Sequence, residues 1–171
     1  MLKLMSASWR LIGCKLRSAP DVSPRSRLDL SEHLPYLINR VGSALVDRFC
    51  ADALTRAQLS IASWRVLAML ATHGALRQTD LAEMTSIEVS TLSRLITRLV
   101  RDGLARRTRS QADSREVTVG LTRKARTLLA RLVPVAAALQ DAATRGVAKR
   151  DLTTLRRVLR RMHKNLTRPA P

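Results

Sequence analysis

Thr91, Arg94, Arg98 and Arg101 follow one another at three- and four-residue steps, so on a helix they share one face. A row of guanidinium forks with hydroxyls beside them donates charge-assisted hydrogen bonds to oxygen anions and to the edge of guanine. Val89, Leu92, Ile96 and Leu99 keep the same steps on roughly the opposite face. One side of this helix therefore reads as core and the other as cation. Further on, Arg106-Arg107-Thr108-Arg109 and Arg115 flank a polar turn, Ser110-Gln111-Ala112-Asp113-Ser114. A solvated basic helix followed by an ordinary hairpin would carry the same charges, and charge alone does not separate the two readings.

The elements that must position these residues are legible around them. Thr79-Asp80-Leu81-Ala82-Glu83-Met84 is a short first helix, and Thr85-Ser86-Ile87-Glu88 places a Thr three residues ahead of a Glu, the capping-box spacing that opens a new helix. That second helix is expected from Thr85 to Asp102, with Gly103 as its stop. Beyond Gly103 the period changes, because Val117, Val119 and Leu121 alternate with Glu116, Thr118 and Gly120 as a strand does. The stretch from Thr79 to Leu121 thus reads as helix, turn, helix, hairpin. Such a helix fits a DNA major groove, and a hairpin tipped with Arg suits the adjacent minor groove.

Leu81 to Leu121 resembles the winged helix-turn-helix of the MarR family of bacterial transcription regulators. The residues that carry the resemblance are Leu81-Ala82, Ser90-Thr91-Leu92-Ser93-Arg94, Asp102-Gly103-Leu104, and Asp113-Ser114-Arg115 followed by Val119-Gly120-Leu121-Thr122. The last of these matches the family's Asp-x-Arg wing signature with its trailing Leu-Thr. The similarity extends more weakly from Leu34 to Leu166 and leaves the first 30 residues uncovered. It implies an all-α chain with a small β-hairpin wing, flanked by dimerisation helices. On this reading Arg94 and Arg98 meet base edges or phosphates with Ser90 and Thr91 beside them, and Arg107, Thr79 and Thr85 meet phosphates. By resemblance Arg115 is the minor-groove contact and Asp113 the residue that positions it.

Composition agrees with a polyanionic partner. The chain has 171 residues, 31 Lys and Arg against 13 Asp and Glu, and a formal charge of +18. An excess of this size favours nucleic acid first and an acidic membrane surface second. Aromatic residues are 2% of the chain; single strands are held by stacking on several rings, so the partner expected is a duplex. The charge also admits a second reading, an architectural protein that coats DNA with little regard for sequence and answers to no ligand. Cys14 and Cys50 form neither a zinc pattern nor a disulfide framework, which suits a reducing cytoplasm. Cys50 falls near the end of its helix, where the dipole does not activate a thiol, so redox sensing is not expected.

Residues 1–30 read as a basic extension and 31–168 as one domain, in which 59–121 form the winged unit and 31–54 with 122–167 the dimerisation helices. Arg10 interrupts the only apolar run ahead of Cys14, which argues against an export signal. Helix 1 is expected from Ser31 to about Ala53 on the stripe Leu34, Leu37, Ile38, Val41, Leu45 and Phe49. Ser60 should cap the next helix, which ends near His73-Gly74. Thr122 should begin a long helix to about Ala143, bent at Pro134, and a last helix should run from about Ala148 to Leu166.

The histidines His33, His73 and His163 lie far apart, and no HExxH pattern, phosphate loop or nucleophile elbow is present. No catalytic residue, metal ligand or cofactor is therefore expected. Family resemblance implies a homodimer on an inverted-repeat operator, acting as a repressor released by a small ligand such as an aromatic acid. His33, Tyr36 and Arg40 lie on one side of helix 1, so that Arg40 meets a carboxylate while Tyr36 and Trp64 flank a ring. The competing reading makes Tyr36 and Trp64 core residues and Arg40 an interface ion pair.

Overall fold

A computed structural model describes residues 29–109 and 117–167. Its elements are α1 (Leu34–Phe49), a π turn (Cys50–Leu54), α2 (Ile61–His73), β1 (Leu76–Arg77), α3 (Gln78–Thr85), α4 (Val89–Arg101), β2 (Ala105–Arg109), β3 (Val117–Leu121), α5 (Arg123–Ala143) and α6 (Lys149–Thr167). The described chain divides into two compact units between Arg40 and Val41, inside α1. In the first, Asp29 accepts from the Ser31 backbone N–H at 2.8 Å and from its hydroxyl at 2.7 Å, which shapes the turn ahead of α1.

In the second unit each helix begins and ends for a local reason. The Ser60 hydroxyl accepts from the Ser63 N–H at the head of α2, and Gly74 closes that helix at φ 81°. Thr122 does the same for α5 by accepting from the Ala125 N–H. Gly103, at φ 70°, lets the chain leave α4 for β2. α5 continues through Pro134, which has no N–H to offer the Ala130 carbonyl.

Three expectations need correction. The helix expected from Thr85 starts at Val89, because Glu88 itself is the cap. Thr85 instead ends α3, is buried, and donates its hydroxyl to the Leu81 carbonyl. The turn between the helices is made by Ser86, left-handed at φ 54°, whose N–H reaches the Ala82 and Glu83 carbonyls. Val89, expected in the apolar stripe, is 49% exposed because it is the first residue of a helix whose buried face begins at Leu92. Helix 1, expected from Ser31 to about Ala53, is α-helical over Leu34–Phe49, the span of its apolar stripe, and its last turn widens into the π turn, where the Thr55 N–H bonds the Cys50 carbonyl.

β1 escaped the periodicity argument, being two residues long. It makes the wing a three-stranded antiparallel sheet in the order β1-β3-β2, with Leu76 opposite Val119 and Ala105 to Arg109 opposite Leu121 to Val117.

Two apolar clusters hold this unit. The larger joins Val66, Leu67 and Leu70 of α2 to Leu81 of α3, to Leu92, Ile96 and Leu99 of α4, to Val119 and Leu121 of β3, and to Ala125 and Leu129 of α5. The smaller gathers Phe49, Ala53, Leu54 and Leu132, with the Phe49 and Trp64 rings edge to face at 4.9 Å. Leu59, Trp64 and Leu128 pack against both. On α6 no residue is buried, and Leu155, Val158, Leu159 and Leu166 stand exposed; on α1 the same holds for Leu34, Leu37, Ile38 and Val41.

Leu92 has no exposed surface whereas Val89 is half exposed. Leu92→Ala should therefore cost about 2–5 kcal/mol. Val89→Ala should fall within about 0.5 kcal/mol. Urea unfolding at one protein concentration measures both; equal losses would show that α4 does not bury the face described.

Candidate nucleic-acid interface

α4 is the element on which the candidate site stands. Its buried stripe of Leu92, Ile96 and Leu99 leaves Ser90, Thr91, Arg94, Thr97, Arg98 and Arg101 exposed on the other faces. Ahead of it Glu88 folds back over the helix start, accepting from the Ser90 N–H at 2.9 Å, from the Thr91 N–H at 2.9 Å, and from the Ser90 hydroxyl. The Ser90 hydroxyl and amide lower the Glu88 carboxyl to about 2, with the Thr91 amide adding to them. A carboxylate there also meets the positive end of the helix. Glu88 therefore consumes the first amides of α4, and Ser90 is committed to it.

The wing is tied to the same helix. On β2, Arg107 donates to the Thr97 hydroxyl at 3.0 Å, and that hydroxyl donates in turn to the Ser93 carbonyl at 3.0 Å. The Arg107 guanidinium thus sits beside the exposed face of α4. At the far end Asp102 approaches Arg98 at 3.8 Å and Arg101 at 3.6 Å, exposed contacts that steer the two side chains more than they bind them. The turn after α4 is held from α5: the Thr122 hydroxyl donates to the Gly103 carbonyl at 2.7 Å, and the Lys124 ammonium to the Asp102 carbonyl at 2.9 Å.

The residues expected to act together are partly brought together. Thr91, Arg94 and Arg98 share the exposed side of α4, and Arg107 joins them through Thr97. Thr79, exposed at the start of α3, donates to Asp80 at 3.4 Å. Thr85 is excluded from a surface role by burial and by its bond to Leu81. Asp113 and Arg115 lie outside the described residues, as does the basic segment before Asp29. Sequence reasoning missed Glu88 as a cap and Thr97 as the link to the wing. Thr97 stands three residues after Arg94 and three before Val100 on the exposed side, a position that the spacing could have flagged.

The residues expected to hold a ligand are engaged as follows. Arg40 lies over the Tyr36 ring at 5.7 Å, a cation–π pair within the first unit. Also there, His33 has a buried Nδ1 with no hydrogen-bond partner among the described residues. Trp64 belongs to the second unit, where it meets Phe49 and lines a cavity of about 150 Å³ with Leu45, Val46, Ile61, Ala136 and Leu139. Among the described residues there is no group of His, Cys, Asp and Glu able to hold a metal, and no helix long and apolar enough to cross a membrane.

Known proteins share this architecture. Residues 59–117 match the MarR family model. A curated relative, the uncharacterised HTH-type transcriptional regulator YfiV of Bacillus subtilis, is 35% identical over 68 residues, which are 40% of this chain and 42% of that protein. The chain thus spans less than half the length of the curated relative it matches. A MarR-family regulator from Silicibacter pomeroyi superposes with a TM-score of 0.73 at 30% identity, over 83% of this chain and 94% of that one. BpsR of Bordetella bronchiseptica, solved in a study of how 6-hydroxynicotinic acid regulates its DNA binding, gives 0.70 at 27% identity over 80% and 97%. CouR, a transcriptional repressor bound to a 23-mer DNA duplex, gives 0.70 at 28% over 81% and 99%.

The Glu88 cap carries its own test. Its folded value lies below that of an unfolded glutamate, so the stability it adds is complete above about pH 4.5 and is lost as the pH falls towards about 2. Glu88→Ala should melt below the parent at neutral pH, and the gap should close on acidification through that window. A gap that stays constant from pH 7 to about pH 2 would show that the carboxylate is not the cap.

Proposed function

Because the chain belongs to the MarR family of winged helix-turn-helix transcriptional regulators, we propose that it is a sequence-specific repressor that reads duplex DNA as a homodimer in the cytoplasm. The observation that carries this reading is the exposed cationic face of α4, with Arg94 and Arg98 beside Thr91, and Arg107 hydrogen-bonded to Thr97. In a major groove Arg98 and Arg94 reach base edges or phosphates, while Ser90 stays with Glu88 and bears on DNA through the orientation of the helix. Arg107 and Thr79 are assigned to phosphates, Arg115 to the minor groove, and Asp113 to holding Arg115. The DNA-bound structure of CouR, which shares the fold, supports this docking.

The dimer is inferred from apolar surface. Leu155, Leu159 and Leu166 on α6 are about 40% exposed or more, a stripe that water disfavours, and Leu34 in the first unit and Val41 in the second are exposed as well. Covering it with a second copy gives a two-fold particle, and such a particle reads an inverted repeat whose half-sites lie about one helical turn apart. An aromatic carboxylate that favours a different spacing of the two α4 helices would release the operator. The regulation of BpsR by 6-hydroxynicotinic acid supports an effector of this class. Within the first unit, Arg40 stacked on Tyr36, with His33 nearby on the chain, is the proposed contact for the carboxylate.

Gel shifts on the promoter beside the gene test the docking. Arg98→Ala should cost about 1–3 kcal/mol and relax preference at one base pair, whereas Arg107→Ala should weaken all sequences alike. A preference of about a thousandfold over random duplex separates a reader from a coating protein. Unchanged affinity in both Arg98→Ala and Arg115→Ala would overturn the docking. The assembly has a separate test: sedimentation should give a dimer at micromolar concentration, and Leu159→Arg should yield monomers with about the affinity of one half-site. A monomeric parent protein would refute it.

A further inference from the structure

Six cations of α6 stand in water without a partner. Lys149, Arg156, Arg157, Arg160, Arg161 and Lys164 are exposed, and none of their side chains has a hydrogen bond or ion pair among the described residues. Arg150 lies 3.4 Å from Asp151, the one acidic residue of the helix. No residue of α6 is buried, so none of this charge serves the packing of the core.

The charges are not spread evenly around the helix. At about 100° per residue the six fall within an arc of about 140°, and Leu155, Leu159, Met162 and Leu166 lie on the opposite side. At 1.5 Å per residue they extend over about 22 Å of axis, a length along which a duplex carries about a dozen phosphate charges. Arg156 and Arg160, and Arg157 and Arg161, stand four residues apart. Like charges at that step destabilise the helix that carries them, and a polyanion along the arc relieves the repulsion.

We propose that the cationic face of α6 is a second duplex-DNA surface, one that holds the phosphate backbone without regard to sequence while α4 chooses the site. Guanidinium forks match phosphate oxygens, and contacts to phosphate carry no sequence information. Two other polyanionic surfaces fit this helix less well. An interfacial helix sinks its apolar stripe into a membrane and keeps its cations level with the lipid headgroups. On α6 the cations lie across the helix from the stripe, where insertion would carry them away from the lipid. Nor has α6 an aromatic residue on which the bases of a single strand could stack. Backbone binding by α6 is independent of the proposed function; only the division of roles with α4 rests on that reading.

The test removes the α4 contacts first. In the full-length protein carrying Arg94→Gln and Arg98→Gln, a random-sequence duplex of about 20 base pairs should still bind, as read by fluorescence anisotropy at about 0.1 M salt. Adding Arg156→Gln, Arg157→Gln, Arg160→Gln and Arg161→Gln should weaken that duplex about tenfold or more. It should also lower the slope of log affinity against log salt by about three to four, since each lost phosphate contact removes about 0.9. Arg156→Lys, Arg157→Lys, Arg160→Lys and Arg161→Lys keep the charge and the helix propensity, and should hold the affinity within about threefold. In the parent protein, which no variant's folding affects, the same duplex should shift the Nε–H signals of Arg157 and Arg160. Unchanged affinity and slope after the four Gln changes, a Lys variant as weak as the Gln one, or unmoved Arg157 and Arg160 signals would each overturn the surface. So would tighter binding to vesicles of anionic phospholipid, or to a single strand of the same length, than to the duplex. A failure to find any preferred operator by gel shift sinks the reading of α4 and leaves these measurements standing.

Discussion

The interaction on which the rest depends is the burial of one stripe of α4. Leu92, Ile96 and Leu99 are essentially without exposed surface, packed against α2, α3 and the sheet. Successive residues on a helix are separated by about 100°, so a rotation that exposed this stripe would drive Arg94 or Arg98 into an apolar interior. An unpaired guanidinium there costs several kcal/mol. The same packing that stabilises the winged unit therefore aims its cationic face outward, and no separate device is needed to orient it.

Both ends of that helix are finished differently. The N-terminal end is closed by residues of the immediate chain, Glu88 with Ser90 and Thr91. The C-terminal end is closed by α5, through Thr122 and Lys124. Because α5 also supplies Ala125 and Leu129 to one core cluster and Leu132 to the other, a contiguous series of packed groups joins the end of α4 to the neighbourhood of Phe49 and Trp64. Such continuity is the material through which a bound ligand and the position of a recognition helix can be linked.

Charge and apolar surface pull the described chain in two directions. A net charge of +18 repels itself and gains most by displacing counterions from a polyanion. The exposed stripes of α1 and α6 gain by meeting apolar surface. On α6 both features share one helix, with Leu155, Val158 and Leu159 interleaved with Arg156, Arg157, Arg160 and Arg161. The long aliphatic stems of those arginines can lie along the stripe while their charged ends stay in water.

What the sequence determined by itself is what repeats at short range. The 3.6-residue period placed α2, α4, α5 and α6, Ser60, Thr122, Gly74 and Gly103 marked ends that the structure keeps, and the change to a two-residue period marked β3. The family was legible from residues of the same stretch. Tertiary structure decided where two local options competed or where partners lay far apart. Thr85 and Glu88 could each serve as a cap, and the choice fell to Glu88 because burying Leu81 and Ala82 carries Thr85 into the interior. β1 is too short to have a period and exists only because Leu76 and Arg77 find Val119 and Thr118 across the chain. A cavity lined by residues 57–59, by Asp102 and Leu104, and by residues of the first half of α5 is decided in the same way, since these segments have no signal in common until the packing of α5 sets them side by side.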